Sequence, residues 1–549
     1  MSARCNIADA VTQMAAKQRD ALAVVTPSGR DRAGRRIYAR LTYGELDRDS
    51  DVIARGLIAS GISPSMRAVL MVRPSLEFFS LTFALFKAGI APVMIDPGLG
   101  RAQLGQCLAE AKPDAFIGIP AAHAARIALG WGRPTVRKLV TVGRRLFWGG
   151  CTLPQLRELG ASSAIALPHT LADDVAAVLF TSGSTGIAKG VVYRHRHFVA
   201  QVEMIRDTYG IQAGEIDLPT FPLFALFDPA LGMTTVLPEM DFARPARVDP
   251  EMLRELIADW RVTNVFGSPA VLATVARHAS GKDVRWPTVR RVLSAGAPVP
   301  IAALTGMRGI LSEDAQIFTP YGATECLPVA SIGSREILAE TRDKTDRGAG
   351  VCVGHVVAPN DVRIIAISDA PIARWQDARE VPRGEIGEIT VLGPTTTDAY
   401  FERPEATASS KIRRGDDIVH RMGDTGYLDA QGRLWFCGRK SHRVELADCT
   451  LFTAPVEEVF NTHPAVFRSA LVGVTLRGVT TPVVCIERDP LASMPEAELM
   501  TDLRRLAALH TTTSRVQTFL VHPGFPVDIR HNAKIGREQV AVWAQARLP

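Results

Sequence analysis

The stretch Val178-Leu-Phe-Thr-Ser-Gly-Ser-Thr-Gly-Ile-Ala-Lys-Gly190 decides how this chain is read. An apolar run over residues 175–180 has the character of a buried strand, and it breaks at once into a Thr/Ser/Gly loop with one lysine. Glycines let backbone N–H groups approach an anion, hydroxyls donate further hydrogen bonds, and the lysine adds positive charge. Thr181, Ser182, Gly183, Ser184, Thr185, Gly186 and Lys189 therefore read as a phosphate cradle. The loop is not of the GxxxxGK[ST] type, because Lys189 is followed by Gly190. A flexible Ser/Gly linker is the alternative, but a linker rarely starts straight from a buried strand.

Outward from the loop, the first half alternates helical and β-rich segments. Residues 47–60, 77–88 and 102–111 read as helices, and 67–73, 91–96 and 115–119 as short buried strands. Residues 262–266 and 289–294 resume the strand pattern. This spacing predicts parallel α/β units. Beyond about residue 350 the pattern changes to short strands and turns, as in 387–392 and the hairpin-like 426–436, with Asp429 and Gly432 at its turn. The last hundred or so residues return to mixed α and β and read as a separate small domain.

Composition sets outer bounds. The chain has 549 residues, 47% hydrophobic and 22% charged, which excludes a mostly disordered chain, a collagen-like repeat and a disulfide-stapled miniprotein. The net charge of +6, with no long basic tail and no finger motif, gives no footing for nucleic-acid binding. Eight scattered cysteines form no CxxC pair, so reduced, packed thiols in a cytoplasmic protein are expected. The first twenty residues lack the apolar core of a signal peptide. The most apolar stretch, 78–95, is broken by Lys87 and Pro92, so no membrane span is expected.

Further motifs follow the loop's logic. Glu325, after a Tyr321-Gly322 turn, is a hard carboxylate of the kind that holds Mg²⁺ on a triphosphate. Asp424 offers two acceptor oxygens for paired ribose hydroxyls, and Arg439 a second ribose or phosphate contact. The bland readings are a surface glutamate, a turn aspartate and an exposed arginine. Together with the loop, the segments Leu41-Thr-Tyr-Gly-Glu-Leu46, Phe86-Lys-Ala-Gly-Ile-Ala-Pro-Val93, Ser294-Ala-Gly-Ala-Pro298, Tyr321-Gly-Ala-Thr-Glu325, Gly387-Glu-Ile-Thr-Val391, Met422-Gly-Asp-Thr-Gly-Tyr427 and Gly438-Arg439 stand in the order of the adenylate-forming superfamily, which the chain resembles over nearly its whole length.

That resemblance implies ATP and Mg²⁺ as cofactors. It also implies an α/β fold, with a large N-terminal domain of layered mixed sheets and a small β-barrel (1–440) and a small mobile α+β domain (441–549) hinged near His442. Nucleotide contacts are implied for the loop residues and for Gly296, Ala297, Pro298, Tyr321, Gly322, Thr324, Asp424 and Arg439. Catalytic roles are implied for Glu325, the metal ligand, for Lys534 and for His195, although a helix-surface histidine is an equal alternative there. Lys534 lies in Pro526-Val-Asp-Ile-Arg-His-Asn-Ala-Lys-Ile-Gly-Arg537, which is similar to the family's last motif, with Ala533 in place of the usual glycine.

Three departures bear on the second half-reaction. Ala225 stands where acyl-CoA synthetases usually carry histidine, His442 stands at the hinge position, and residues 443–448 lack the glycine of a thioester half-site. The sequence runs fifteen residues beyond Lys534, so no carrier-protein domain is expected after it. Segments 191–198, 224–232, 321–328 and 528–536 resemble the branch of the superfamily that closes β-lactones in bacterial olefin formation. This implies a long-chain 2-alkyl-3-hydroxy acid as substrate and an assembly with other olefin-pathway enzymes. A long-chain acyl-CoA synthetase, an amino-acid adenylating enzyme suggested by Phe227-Asp228, and a non-catalytic nucleotide-binding scaffold are the alternatives.

Overall fold

The computed structural model describes residues 4–96, 98–181, 188–527 and 535–548. Ser182, Gly183, Ser184, Thr185, Gly186 and Lys534 lie outside these residues. The fold is mixed α/β, with a large N-terminal part and a smaller C-terminal one.

Two sheets form the larger part. The first has seven strands, ordered Cys151–Thr152, Lys138–Thr141, Ala115–Gly118, Arg67–Met71, Ala91–Ile95, Val175–Thr181 and Lys189–Arg194. All neighbours are parallel except the last pair, which forms the hairpin carrying the candidate loop. The second sheet is longer. Its parallel middle runs Thr234–Val236, Ile216–Pro219, Asn264–Phe266, Arg291–Leu293 and Gln316–Ala323. The antiparallel strands expected as a small barrel (Cys326–Gly333, Val351–Val356, Arg433–Arg439, Asp417–Leu428, Gly387–Leu392 and Asp361–Ile365) are hydrogen-bonded onto the end of this same sheet.

Local chemistry fixes the element ends. The helix expected over 47–60 spans Tyr43–Ala59, four residues earlier, because Thr42 and Glu45 form a reciprocal cap. The Thr42 side chain accepts from the Glu45 N–H, and the Glu45 carboxylate accepts from the Thr42 N–H at 2.8 Å. The strand expected over 387–392 is found as Gly387–Leu392, and the hairpin turns at Asp429 and Gly432 as the sequence suggests. The motifs at 41–46 and 86–93 are structural. Lys87, 3% exposed, ion-pairs with Asp47 at 2.6 Å and Asp51 at 2.7 Å, locking helix Leu76–Lys87 onto helix Tyr43–Ala59.

The C-terminal part packs helices Thr453–Asn461 and Glu496–Ala508 on a three-stranded sheet of Val466–Leu476, Val479–Arg488 and Thr518–Val521. It meets the larger part closely. Arg443 pairs with Asp369 at 2.5 Å, and a Cβ placed on Gly438 would lie 2.1 Å from the Thr453 hydroxyl.

Candidate active site

The parallel strands of the long sheet end together. Pro219, Phe266, Leu293 and Phe318 are in register, and the chain then delivers Thr220, Gly267, the 294–298 turn and Tyr321 at one edge. Ligands of open α/β sheets bind beyond the carboxyl ends of such strands. A cavity of about 2010 Å³ opens there, bordered by Gly296, Ala297, Pro298, Tyr321, Gly322, Thr324, Glu325, Asp424, Arg439 and Lys189. Thus the sequence-predicted positions within the described residues converge, apart from His195; Thr181 closes strand Val175–Thr181, opposite Lys189.

One corner brings together acceptors and a cation that could take a polyol and its phosphates. Asp424 and Arg439 face each other on adjacent strands, with Nη1 2.9 Å from Oδ1. The Tyr321 hydroxyl donates to Asp424 Oδ2 at 2.6 Å. Burial, with the Asp424 charge beside it, raises the phenol well above its ordinary pKa, so it remains a donor. The Asp424 charge likewise raises Arg439, which stays cationic.

A second corner surrounds Glu325. Tyr400, buried, donates its hydroxyl to Glu325 Oε1 at 2.5 Å, while the Lys189 ammonium lies 5.1 Å from the centre of the Tyr400 ring. Thr397 donates to the Glu325 carbonyl through N–H at 2.9 Å and hydroxyl at 3.0 Å. Lys411, buried behind, donates to the Thr397 hydroxyl at 3.2 Å; burial lowers its pKa to about 8 against the pull of Glu325. No group of three or more His, Cys, Asp or Glu capable of enclosing a metal occurs among the described residues. Glu325 therefore suits an ion that takes one carboxylate and finds its other ligands on phosphates and water, the habit of Mg²⁺.

The catalytic role expected for His195 does not fit its place. It is the first residue of helix His195–Tyr209, is 1% exposed, and its Nδ1 accepts the Ile7 N–H at 3.3 Å. Burial lowers its pKa to about 4, so it is a neutral packing group against Phe86. The residues that hold Glu325, namely Tyr400, Thr397 and Lys411, carried no signal in the sequence, since each is 70 or more positions away or in an unremarkable polar run.

One wall of the cavity is mostly apolar. Phe198, Phe224, Phe227, Phe266, Leu231 and Met233 border it. Phe224 stacks on Phe266 with centroids 3.9 Å apart, and Ala225 is fully buried, so the site of the missing histidine is closed packing. Among the described residues no helix is long and apolar enough to cross a membrane.

With this geometry, the comparisons with known proteins agree. The family model "AMP-binding enzyme" matches residues 11–401. The olefin beta-lactone synthetase of Stenotrophomonas maltophilia (strain K279a) is 55% identical, covering 100% of this chain and 99% of its own. That of Xanthomonas campestris pv. campestris is 54% identical, covering 99% and 98%. The structure of an amide bond synthetase from Marinactinospora thermotolerans superposes with a TM-score of 0.77 over 98% of this chain and 99% of that one, at 22% identity, which speaks for the fold. The chain belongs to the AMP-binding enzyme family, the adenylate-forming ligases, and two olefin beta-lactone synthetases are among its full-length relatives.

Proposed function

We propose that this protein is an ATP-dependent β-lactone synthetase acting on a long-chain 2-alkyl-3-hydroxy acid. The observation that carries the reading is identity of 54–55% over whole chains to two olefin beta-lactone synthetases. The extended apolar cavity beside the Asp424–Arg439 corner supports it, because an alkyl-branched acid needs such a wall.

The carboxylate attacks the α-phosphorus of ATP, pyrophosphate leaves, and an acyl-AMP forms. The substrate's own 3-oxygen then bonds to the carbonyl carbon as the bond to AMP breaks. An internal nucleophile held near the carbonyl avoids the entropy cost of a second substrate. Asp424 binds the ribose hydroxyls, Arg439 the ribose or phosphate, and residues 296–298 border the adenine. Lys189 and the loop at 181–186 hold the phosphates. Lys534 supplies a mobile cation to charge developing during adenylation. Mg²⁺, held by Glu325, would neutralise the triphosphate and polarise the α-phosphorus. His195 has no catalytic part. Residues 1–440 and 441–549 are the two moving units, hinged near His442, whose imidazole faces Glu538 at 3.4 Å. The setting is the cytoplasm, in keeping with eight free cysteines, and a hydrophobic, labile lactone favours assembly with the other olefin-pathway enzymes.

Mass spectrometry of products from a 2-alkyl-3-hydroxy acid with ATP and Mg²⁺, with and without CoA, tests the reading. The expected products are lactone, AMP and pyrophosphate, unaffected by CoA. A 3-deoxy analogue should stall as bound acyl-AMP after about one equivalent of pyrophosphate. Multiple turnovers on it with thioester formation would instead establish a CoA ligase.

A further inference from the structure

Two carboxyl groups sit in the apolar wall of the cavity. Asp217 and Asp228 are 7% and 5% exposed, both border the cavity, and they lie within hydrogen-bonding reach of each other. Asp228 Oδ2 also accepts from the Thr235 hydroxyl at 3.1 Å. The titratable and charged groups around them are Glu215, Arg291 and Tyr43. Arg291 is engaged by Glu215 at 2.8 Å and by the Asn264 side-chain carbonyl. The Tyr43 hydroxyl donates to the Met233 carbonyl at 2.8 Å. Among the described residues no ion pair joins either aspartate to a cation. Two touching carboxylates withdrawn from water cannot both ionise, so the pair shares one proton over a wide pH range.

Their position relates them to the reacting end. Asp217 is in register with Asn264, and two residues further along those strands Pro219 pairs with Phe266, roughly 7 Å nearer the carboxyl edge. Phe227, next to Asp228, meets Phe198 at 6.1 Å; Phe198 stacks on Tyr193 at 4.6 Å; and the Tyr193 hydroxyl donates to the Thr324 carbonyl at 2.5 Å, beside Glu325.

An independent orphan lies on this path. Because Tyr193 spends its proton on Thr324, it can only accept from Gln201, whose Nε2 is 3.2 Å away. The amide is thereby oriented, and its Oε1, on a side chain 1% exposed that borders the same cavity, has no donor among the described residues. A buried acceptor left without a donor is unfavourable, which points to a ligand donor there. The carboxyl pair and the amide oxygen thus offer acceptors to a ligand that is otherwise hydrophobic and carries a hydroxyl.

We propose that the Asp217–Asp228 pair is the base for lactone closure, with Gln201 Oε1 orienting the hydroxyl; this rests on the lactone-forming reading above. As the 3-oxygen bonds to the acyl carbon, its O–H bond breaks and the proton passes to the ionised carboxyl of the pair. The acyl–phosphate C–O bond breaks, AMP departs with that electron pair, and the pair returns its proton to solvent when product leaves.

The test compares Asp228→Asn and Asp217→Asn with wild type in two assays: pyrophosphate release from the 3-hydroxy acid and ATP, and lactone formation from synthetic 3-hydroxyacyl-AMP. Closure should fall about 10²–10⁴-fold, the usual worth of a general base, and at least a hundredfold more than adenylation. Closure by wild type should also rise with pH as the pair ionises near the value of about 7 held by Asp217, then level off. This measurement stands even where a variant does not fold. Equal losses in both assays, an unimpaired closure, or a flat profile from about pH 5.5 to 8.5 would each overturn the assignment. No lactone from wild type would overturn the functional reading itself, and this assignment with it.

Discussion

Tyr400→Phe is the sharpest perturbation of the Glu325 corner, because it deletes one oxygen and leaves the rest in place. The ring stays buried and the Lys189 ammonium keeps its aromatic face at 5.1 Å. What disappears is the 2.5 Å hydrogen bond to Glu325 Oε1. A hydrogen bond to a charged group is worth about 1.5–3 kcal/mol, which converts to roughly 10- to 150-fold. Part of this falls on stability. Glu325 is only half-buried, so water can replace the phenol and the stability loss should stay at the low end. The greater part falls on metal-dependent chemistry, because the carboxylate must present one fixed orientation to the cation. Pyrophosphate release titrated with Mg²⁺ should show a weaker apparent metal affinity and a lower rate at saturation, together about 10–100-fold in efficiency. Lys189→Met in the same background should add its own loss, since the cation does not act through the phenol. A Tyr400→Phe enzyme with wild-type Mg²⁺ dependence would refute the view that Glu325 is a metal ligand held by Tyr400.

Two further outcomes are expected. Lys534→Ala should lose acyl-AMP formation by about 10²–10³-fold, as for deletion of one preorganised electrostatic contact, and should still close supplied acyl-AMP; equal losses in both assays would give the lysine a part in closure. Lys411→Met addresses the buried ammonium, whose folded pKa of about 8 lies below the unfolded value. Between those values the unfolded chain binds more protons, so this group's contribution to stability rises with pH from about 8 to about 10.5. The variant should therefore melt above wild type at pH 7 and lose that advantage as pH passes through the window, and denaturation curves at pH 7 and pH 10 decide it.

The nucleotide half of the site is legible in the sequence for a physical reason. In the proposed reading, phosphate, ribose and adenine are met by short contiguous segments, where glycine lets the backbone approach and one polar residue supplies the contact. Gly296, at φ +97°, and Asp424, on a strand facing Arg439, are positions of that kind. His195 shows where local reading fails. Its neighbours match a motif, but whether it faces the cavity or Ile7 depends on the helix it starts, and the helix turns it inward.

The acyl half is built otherwise. Its wall takes Phe198 from a helix, Phe266 from a strand and Phe224 from a helical turn, so no contiguous stretch announces it. Asp217 occupies a strand whose next residue, Leu218, is fully buried on the opposite face, and in sequence it reads as a polar interruption. Parallel pairing with Asn264 brings that interruption to the cavity side, and helix Phe227–Leu231 supplies the second carboxyl. An apolar wall beside the nucleotide corner would suffice to bind an alkyl acid for activation. Closing the ring also requires somewhere for the hydroxyl proton to go, and in a wall of phenylalanines that place has to be imported from residues far apart in the chain. The specificity of the second half-reaction is therefore written in tertiary contacts, whereas the first is written in motifs.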